Sequence, residues 1–360
     1  MEKTQAKKRN ANMEFLRMLS MFMVVMLHGL GKGELLVNLT TSPSVNATIA
    51  WVLESLSLGA VNIFILISGY FLIDSKFKLG RLIELVCELL FYSVLSFVAA
   101  MAFGIETFQE WDTYHLLHVI FPVHMKLFWF MTCYICIYML LPIISAGVKN
   151  IEKKQFGTAI ICLLIFECVF KTVLPVRLEE DGFGYNSFWF LIVFLIGAYF
   201  KLYGFKHLTT AKKGVCLYLV GALLIFLENT AIDFVITRFG YLEEIEGVST
   251  EYNHIFVLLS AIGIFAAFVH KKEMKEGLAK IVVSLSPMAL GVYLIHENLA
   301  FRYAWPTWFG LNIAMGLNPA VFTMLIFGAV LSVYVVGTIV DFLRIQLFSA
   351  VKKIFVKREA

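Results

Sequence analysis

The residues best suited to chemistry stand where an apolar helix should carry none. From Met13 to Gly29 the sequence reads MEFLRMLSMFMVVMLHG, apolar except for Glu14, Arg17, Ser20 and His28. Arg17 and His28 are eleven positions apart. At about 100° per residue, that spacing returns to within roughly 20° of the same helix face, about 16 Å further along the axis. Glu14 precedes Arg17 by one turn and belongs to the same stripe. Ionisable groups at membrane depth are costly and rarely face lipid, so a polar stripe on one face marks a functional site. The residue types indicate its chemistry. A histidine can take a proton near neutral pH, or attack as a nucleophile. An arginine is a permanent cation suited to phosphate or carboxylate. The plainer alternative is a histidine bonded to a carbonyl and an arginine reaching for the headgroups.

Other ionisable groups fall inside apolar stretches: Glu54, Glu84 and Glu88 after Arg81, Glu167 with Lys171, Glu228 and Asp233, and His296 with Glu297. Such groups need partners or water in a low-dielectric interior, which implies a polar cavity between helices. The order of Glu167 and Lys171, four apart, predicts a structural ion pair on one helix. His115, His118 and His124 lack the Glu that follows the first histidine of zinc proteases, so no metal is expected. The six cysteines, including Cys133 and Cys136, lie in apolar stretches and read as buried packing, with no disulfide framework. The chain has neither a Gly-x-Ser-x-Gly elbow nor a glycine-rich phosphate loop, and no nucleic-acid partner is expected.

The elements that must position these residues are membrane helices. The 360 residues are 60% hydrophobic and only 16% charged, against about half and a quarter in soluble domains. Apolar runs long enough to cross the bilayer fall at 13–30, 49–73, 81–104, 126–146, 156–175, 186–203, 214–236, 253–269, 281–299 and 319–343. The reading is all-α, a polytopic membrane protein with about ten transmembrane helices. Its organisation is a basic N-terminus (1–12), a ten-helix domain (13–343) and a basic tail (344–360). Arginines and lysines number 23 at the N-terminus, even-numbered links and C-terminal tail, against Lys32, Arg177, Arg238 and Arg302 in the odd-numbered links. The excess predicts that both termini are cytoplasmic. The interrupted first apolar run, with no clean cleavage site after it, reads as an uncleaved helix rather than a signal peptide. The outer-loop acids Glu106, Glu110, Asp112, Glu179, Glu180, Asp181, Glu243, Glu244, Glu246 and Glu251 read as solvated charge. The sequons at Asn38 and Asn46 matter only in a glycosylating host.

Asn12-Met13-Glu14-Phe15-Leu16-Arg17, running to His28, resembles the opening of the acyltransferase-3 family, which has an Arg and a His separated by ten intervening residues in its first transmembrane helix. Asn62 to Leu72 is similar to a Phe-rich family segment ending in Ser-Gly-aromatic. Phe128-Trp129-Phe130-Met131, leading to Tyr134 and Leu141-Pro142, looks like the fourth-helix block. Ser286-Pro287 with Gly291-Val292-Tyr293-Leu294-Ile295-His296 resembles the late block. Arg81 stands where the family keeps a basic residue at the inner mouth of the third helix. Where members often pair it with a second basic residue, this chain has Gly80 and Lys78.

The resemblance implies a membrane O-acyltransferase of a bacterial plasma membrane. It would move an acyl group, usually acetyl, from cytoplasmic acetyl-CoA to a hydroxyl of a cell-surface glycan or lipid-linked saccharide. His28 would be general base or transient acyl carrier. Arg17 and Arg81 would hold the donor, and Glu14, Glu84, Glu88, Trp129, Tyr134 and His296 would line the cavity. The chain would act alone or with a separate extracytoplasmic transferase. Two other classes suit ten helices with buried charge: an exporter of polysaccharide or lipid-linked sugar, and a non-catalytic sensor. An exporter of the inverted-repeat kind calls for helices broken near mid-membrane, whereas the few prolines here lie mostly near helix ends.

Overall fold

The structure, a computed structural model, describes residues 9–105, 113–174, 179–240 and 245–358. Among the described residues it is helical throughout and has no strand. Among the described residues, nine runs are long and apolar enough to cross a membrane. They comprise α1 (Ala11–Lys32), then α2 (Val45–Ser57) with α3 (Ala60–Leu72), then α4 (Leu79–Phe103) and α6 (Trp129–Asn150). α7 (Lys153–Leu164) continues through a π turn into α8 (Phe170–Val173). α10 (Ala211–Phe239) and α11 (Ile255–Val269) follow, then α12 (Glu276–Leu285) with α13 (Ala289–His296), and finally α15 (Pro319–Arg358). A tenth, shorter apolar helix, α9 (Ser187–Tyr203), completes the set. Its 17 residues extend about 25 Å. Two short helices, α5 (Thr113–Ile120) and α14 (Ala304–Trp308), lie in the connections.

α1 is the hub, packed against α2, α3, α11, α12, α13 and α15. Lipid tails are as apolar as leucine, so membrane helices associate through close packing rather than through hydrophobic burial. Small residues permit that packing where α3 crosses α9. A Cβ at Gly69 would lie 2.0 Å from the Phe194 carbonyl oxygen, and one at Gly197 would lie 2.3 Å from that of Leu66. Outward faces of α4, α10 and α15 carry exposed Val98, Leu223 and Leu331, as lipid-facing helices should.

Two of the described spans break part-way along their length. α2 gives way to α3 at Leu58–Gly59, and α12 to α13 at Ser286-Pro287-Met288, where the proline opens a 3-10 turn. Pro43, Pro122 and Pro319 lie at helix ends or in connections, as expected for most prolines, whereas Pro142 lies inside α6 and Pro287 within a span. α15 runs without a break from Pro319 through 343/344 to Arg358. Asn46, a sequon residue, is buried and donates to the carbonyls of Met315 and Leu317.

Lys171 does not take Glu167 as its ion-pair partner. It pairs with Asp181 and Glu251, acids expected to be merely solvated. The cause is the π turn at Ile165–Val169, whose wider turn rotates Lys171 away from the face that holds Glu167. Glu106, Glu110, Asp112, Arg177, Glu243 and Glu244 lie outside the described residues, as do Lys3, Lys7 and Lys8.

Candidate functional site

Asn10 caps α1, its side-chain oxygen accepting from the backbone N–H groups of Asn12 and Met13. Asn12 in turn donates to the carbonyls of Lys271 and Lys272 beyond α11. Thus fixed, the polar stripe of α1 faces a cavity of about 1370 Å³, lined by Glu14 and Arg17 near one end of α1 and by His28 near the other. Arg81, Glu84, Glu88, Trp129 and Tyr134 line it too, as their sequence positions suggested.

The mouth is charged. Arg9, Arg17, Lys76, Lys78, Arg81 and Arg344 line it against three carboxylates, Glu14, Glu84 and Glu88. Arg17 Nη1 donates to both oxygens of Glu14 at 3.1 Å, and Arg81 donates to Glu84 at 2.8 Å. Glu88 pairs with Arg344 at 2.9 Å. Arg344 also donates to Asp341 at 2.6 Å, and the Tyr92 hydroxyl donates to the same carboxylate at 2.5 Å. This knot ties α4 to α15. It sits over Gly291 of α13, where any Cβ would fall 2.4 Å from Asp341. Arg344 is therefore part of the cavity wall rather than of a tail. Sequence reading missed the knot because Arg344 opens a basic run; the i,i+3 pairing with Asp341 inside an apolar stretch was the available signal.

At the far end the geometry assigns protons. The His296 Nδ1 lies 2.6 Å from the Val292 carbonyl oxygen, which can only accept. That nitrogen therefore carries hydrogen, and His296 Nε2 offers a lone pair. His28 Nδ1 is 2.9 Å from that lone pair and 3.1 Å from Glu297 Oε2. Both neighbours are acceptors, so His28 carries its hydrogen on Nδ1. Its Nε2 is then left with a lone pair for whatever occupies the cavity. His296, expected on the cavity wall, instead stands behind His28, because its ring is turned to its own helix.

Glu297 is the centre of this arrangement, and its role was not foreseen. It accepts from Lys32, lies 3.7 Å from Arg302 Nε, and so carries two cations besides His28. Arg302 also donates to the carbonyls of Glu297 and Leu127, holding the end of α13 in place. Among the described residues, the one place where three metal-ligating side chains converge is His28, His296 and Glu297. The histidines of the 115–124 stretch do not converge.

The cavity also meets an aromatic layer. Trp129 and Tyr252 line it, their rings stacked with centroids 5.8 Å apart. Tyr185, which is partly exposed, packs on both at 4.4 and 4.6 Å. Tyr185 follows Gly182-Phe183-Gly184, three consecutive residues at positive φ. Phe183 is held in that costly conformation by Asp181, which accepts from its N–H at 2.7 Å.

Fold and site together define a membrane-embedded, all-helical protein whose ionisable residues line one large internal cavity. The acyltransferase-domain family model matches residues 10–338, nearly the whole chain. The chain belongs to this family, the acyltransferase-3 family, and is a multi-pass membrane acyltransferase. No curated protein and no solved structure matches it.

Proposed function

We propose that the chain is an O-acyltransferase that takes acetyl from acetyl-CoA at the charged mouth and passes it to a hydroxyl of a cell-surface polysaccharide or lipid-linked saccharide. The observation that carries this reading is His28 on the wall of a cavity whose mouth has six cations, with Nδ1 against two acceptors and Nε2 left with the lone pair. Phosphates of the donor suit such a mouth, Arg17 and Arg81 being their first partners. The thioester end then extends inward toward His28. In direct transfer, the acceptor oxygen attacks the thioester carbonyl while Nε2 takes its proton, and the thiolate leaves and recovers a proton. In a two-step route, Nε2 carries the acetyl first. Labelled acetyl retained on the protein when acceptor is withheld distinguishes the two.

The excess of basic residues in alternate links supports cytoplasmic termini in a bacterial plasma membrane, with the donor at the cytoplasmic mouth. The acceptor then arrives from the aromatic side, delivered directly or by a separate extracytoplasmic transferase. The test is His28→Ala in a cell lacking its own copy, with mass spectrometry of surface glycans. Loss of acetylation at an unchanged protein level is expected. Acetylation at the wild-type level would overturn the assignment.

A further inference from the structure

We infer that His28, His296 and Glu297 form a zinc site whose occupation excludes acyl transfer. Tetrahedral zinc, with nitrogen or oxygen ligands about 2.0–2.1 Å away, places its ligand atoms about 3.3 Å apart. Here His28 Nδ1 is 2.9 Å from His296 Nε2 and 3.1 Å from Glu297 Oε2, and all the ligating atoms lie within 4.8 Å of one another. Small shifts of three side chains convert this triangle into three corners of a coordination tetrahedron, leaving the fourth for water. His296 is already prepared as a ligand. Its Nδ1 hydrogen is committed to the Val292 carbonyl, the outer bond that orients most metal-bound histidines. His28 lines the cavity, so an ion in the cavity reaches Nδ1 once the ring turns.

In the metal-free protein the same oxygen of Glu297 serves Lys32. Lys32 is thus the cation the site holds at rest, and zinc must displace it. Binding requires the other tautomer of His28: Zn²⁺ takes the Nδ1 lone pair, the ring hydrogen moves from Nδ1 to Nε2, and the Lys32 ammonium, already 5.7 Å above the Tyr303 ring, moves off the carboxylate. With Nδ1 metal-bound, Nε2 carries the ring hydrogen, so His28 has no lone pair with which to take the acceptor's proton or the acyl group. The inhibition rests on the proposed role of His28; the binding does not.

The experiment uses full-length protein in detergent with cobalt(II) as a spectroscopic probe for zinc. Wild type is expected to give the visible absorption of tetrahedral cobalt, abolished by adding zinc. His28→Ala and His296→Ala should each weaken binding at least about tenfold, while His115→Ala with His118→Ala should leave it unchanged. Lys32→Met, by removing the competing cation, should tighten binding about tenfold or more, a gain that misfolding cannot produce. Absence of a tetrahedral signal in wild type, a signal that survives both histidine variants, or unchanged affinity in Lys32→Met overturns the site. Cobalt and zinc binding without loss of acetyl transfer would instead overturn the proposed role of His28.

Discussion

The double hold on His28 predicts a non-additive series. The Nδ1 hydrogen has two acceptors, His296 Nε2 at 2.9 Å and Glu297 Oε2 at 3.1 Å. His296→Leu removes one and leaves the other, so the tautomer survives. The loss is one neutral hydrogen bond, about 0.5–1.5 kcal/mol, which corresponds to about 2- to 13-fold in rate. Glu297→Leu removes the other acceptor and would strand Lys32, so it is paired with Lys32→Met; His296 then keeps the tautomer and a similar loss follows. With all three substitutions the Nδ1 hydrogen has no acceptor, and Nε2 can be the protonated nitrogen. Losing the orienting partner of a catalytic histidine costs about 10⁴-fold in serine proteases. The combined chain should therefore fall about 10³- to 10⁴-fold, well beyond the product of its parts. The assay is release of free CoA thiol from acetyl-CoA by equal amounts of membrane-inserted protein. A combined loss equal to the simple product would refute the two-acceptor argument. So would a His296→Leu chain as inactive as His28→Ala.

Three further outcomes test the surrounding frame. Arg344→Met leaves the carboxylates of Glu88 and Asp341 buried without their cation, which should cost about 3–5 kcal/mol; adding Glu88→Gln and Asp341→Asn should restore thermal stability in detergent. Arg17→Ala with Glu14→Gln removes the mouth pair without stranding a charge, so the apparent KM for acetyl-CoA should rise while the unfolding temperature stays near that of wild type. Lys171→Met strands Asp181 and Glu251 by the same logic as Arg344. Its unfolding temperature should fall, and limited proteolysis near the Tyr185 segment should accelerate, whereas a Glu167→Gln chain should behave as wild type.

Much of the architecture was legible because membrane spans announce themselves by length. The Arg17–His28 stripe was legible because eleven residues is close to three helical turns. The misreadings have local causes. Glu167 and Lys171 obey an i,i+4 rule that a π turn suspends. His296 was placed on the cavity wall by its helix position, but the Val292 carbonyl turns its ring away. Glu297 lies where α13 ends, so helical periodicity could not say that it points back to α1. Arg344 was assigned to a tail by its basic neighbours, and only the packing of α15 against α4 reveals the carboxylates that hold it.

The stacked rings of Trp129, Tyr252 and Tyr185 also have an electrical consequence. A water-accessible cavity that runs from the charged mouth to His28 carries the potential of one compartment deep into the membrane. On the proposed topology, the voltage that ordinarily falls across about 30 Å of hydrocarbon is then concentrated on the protein between the cavity and the far surface. Moving one elementary charge through the full drop is worth about 2.3 kcal/mol per 100 mV. A proton passing between His28 and the far surface would feel nearly all of it. Any proton exchange between His28 and the far surface would therefore sense whether the membrane is energised.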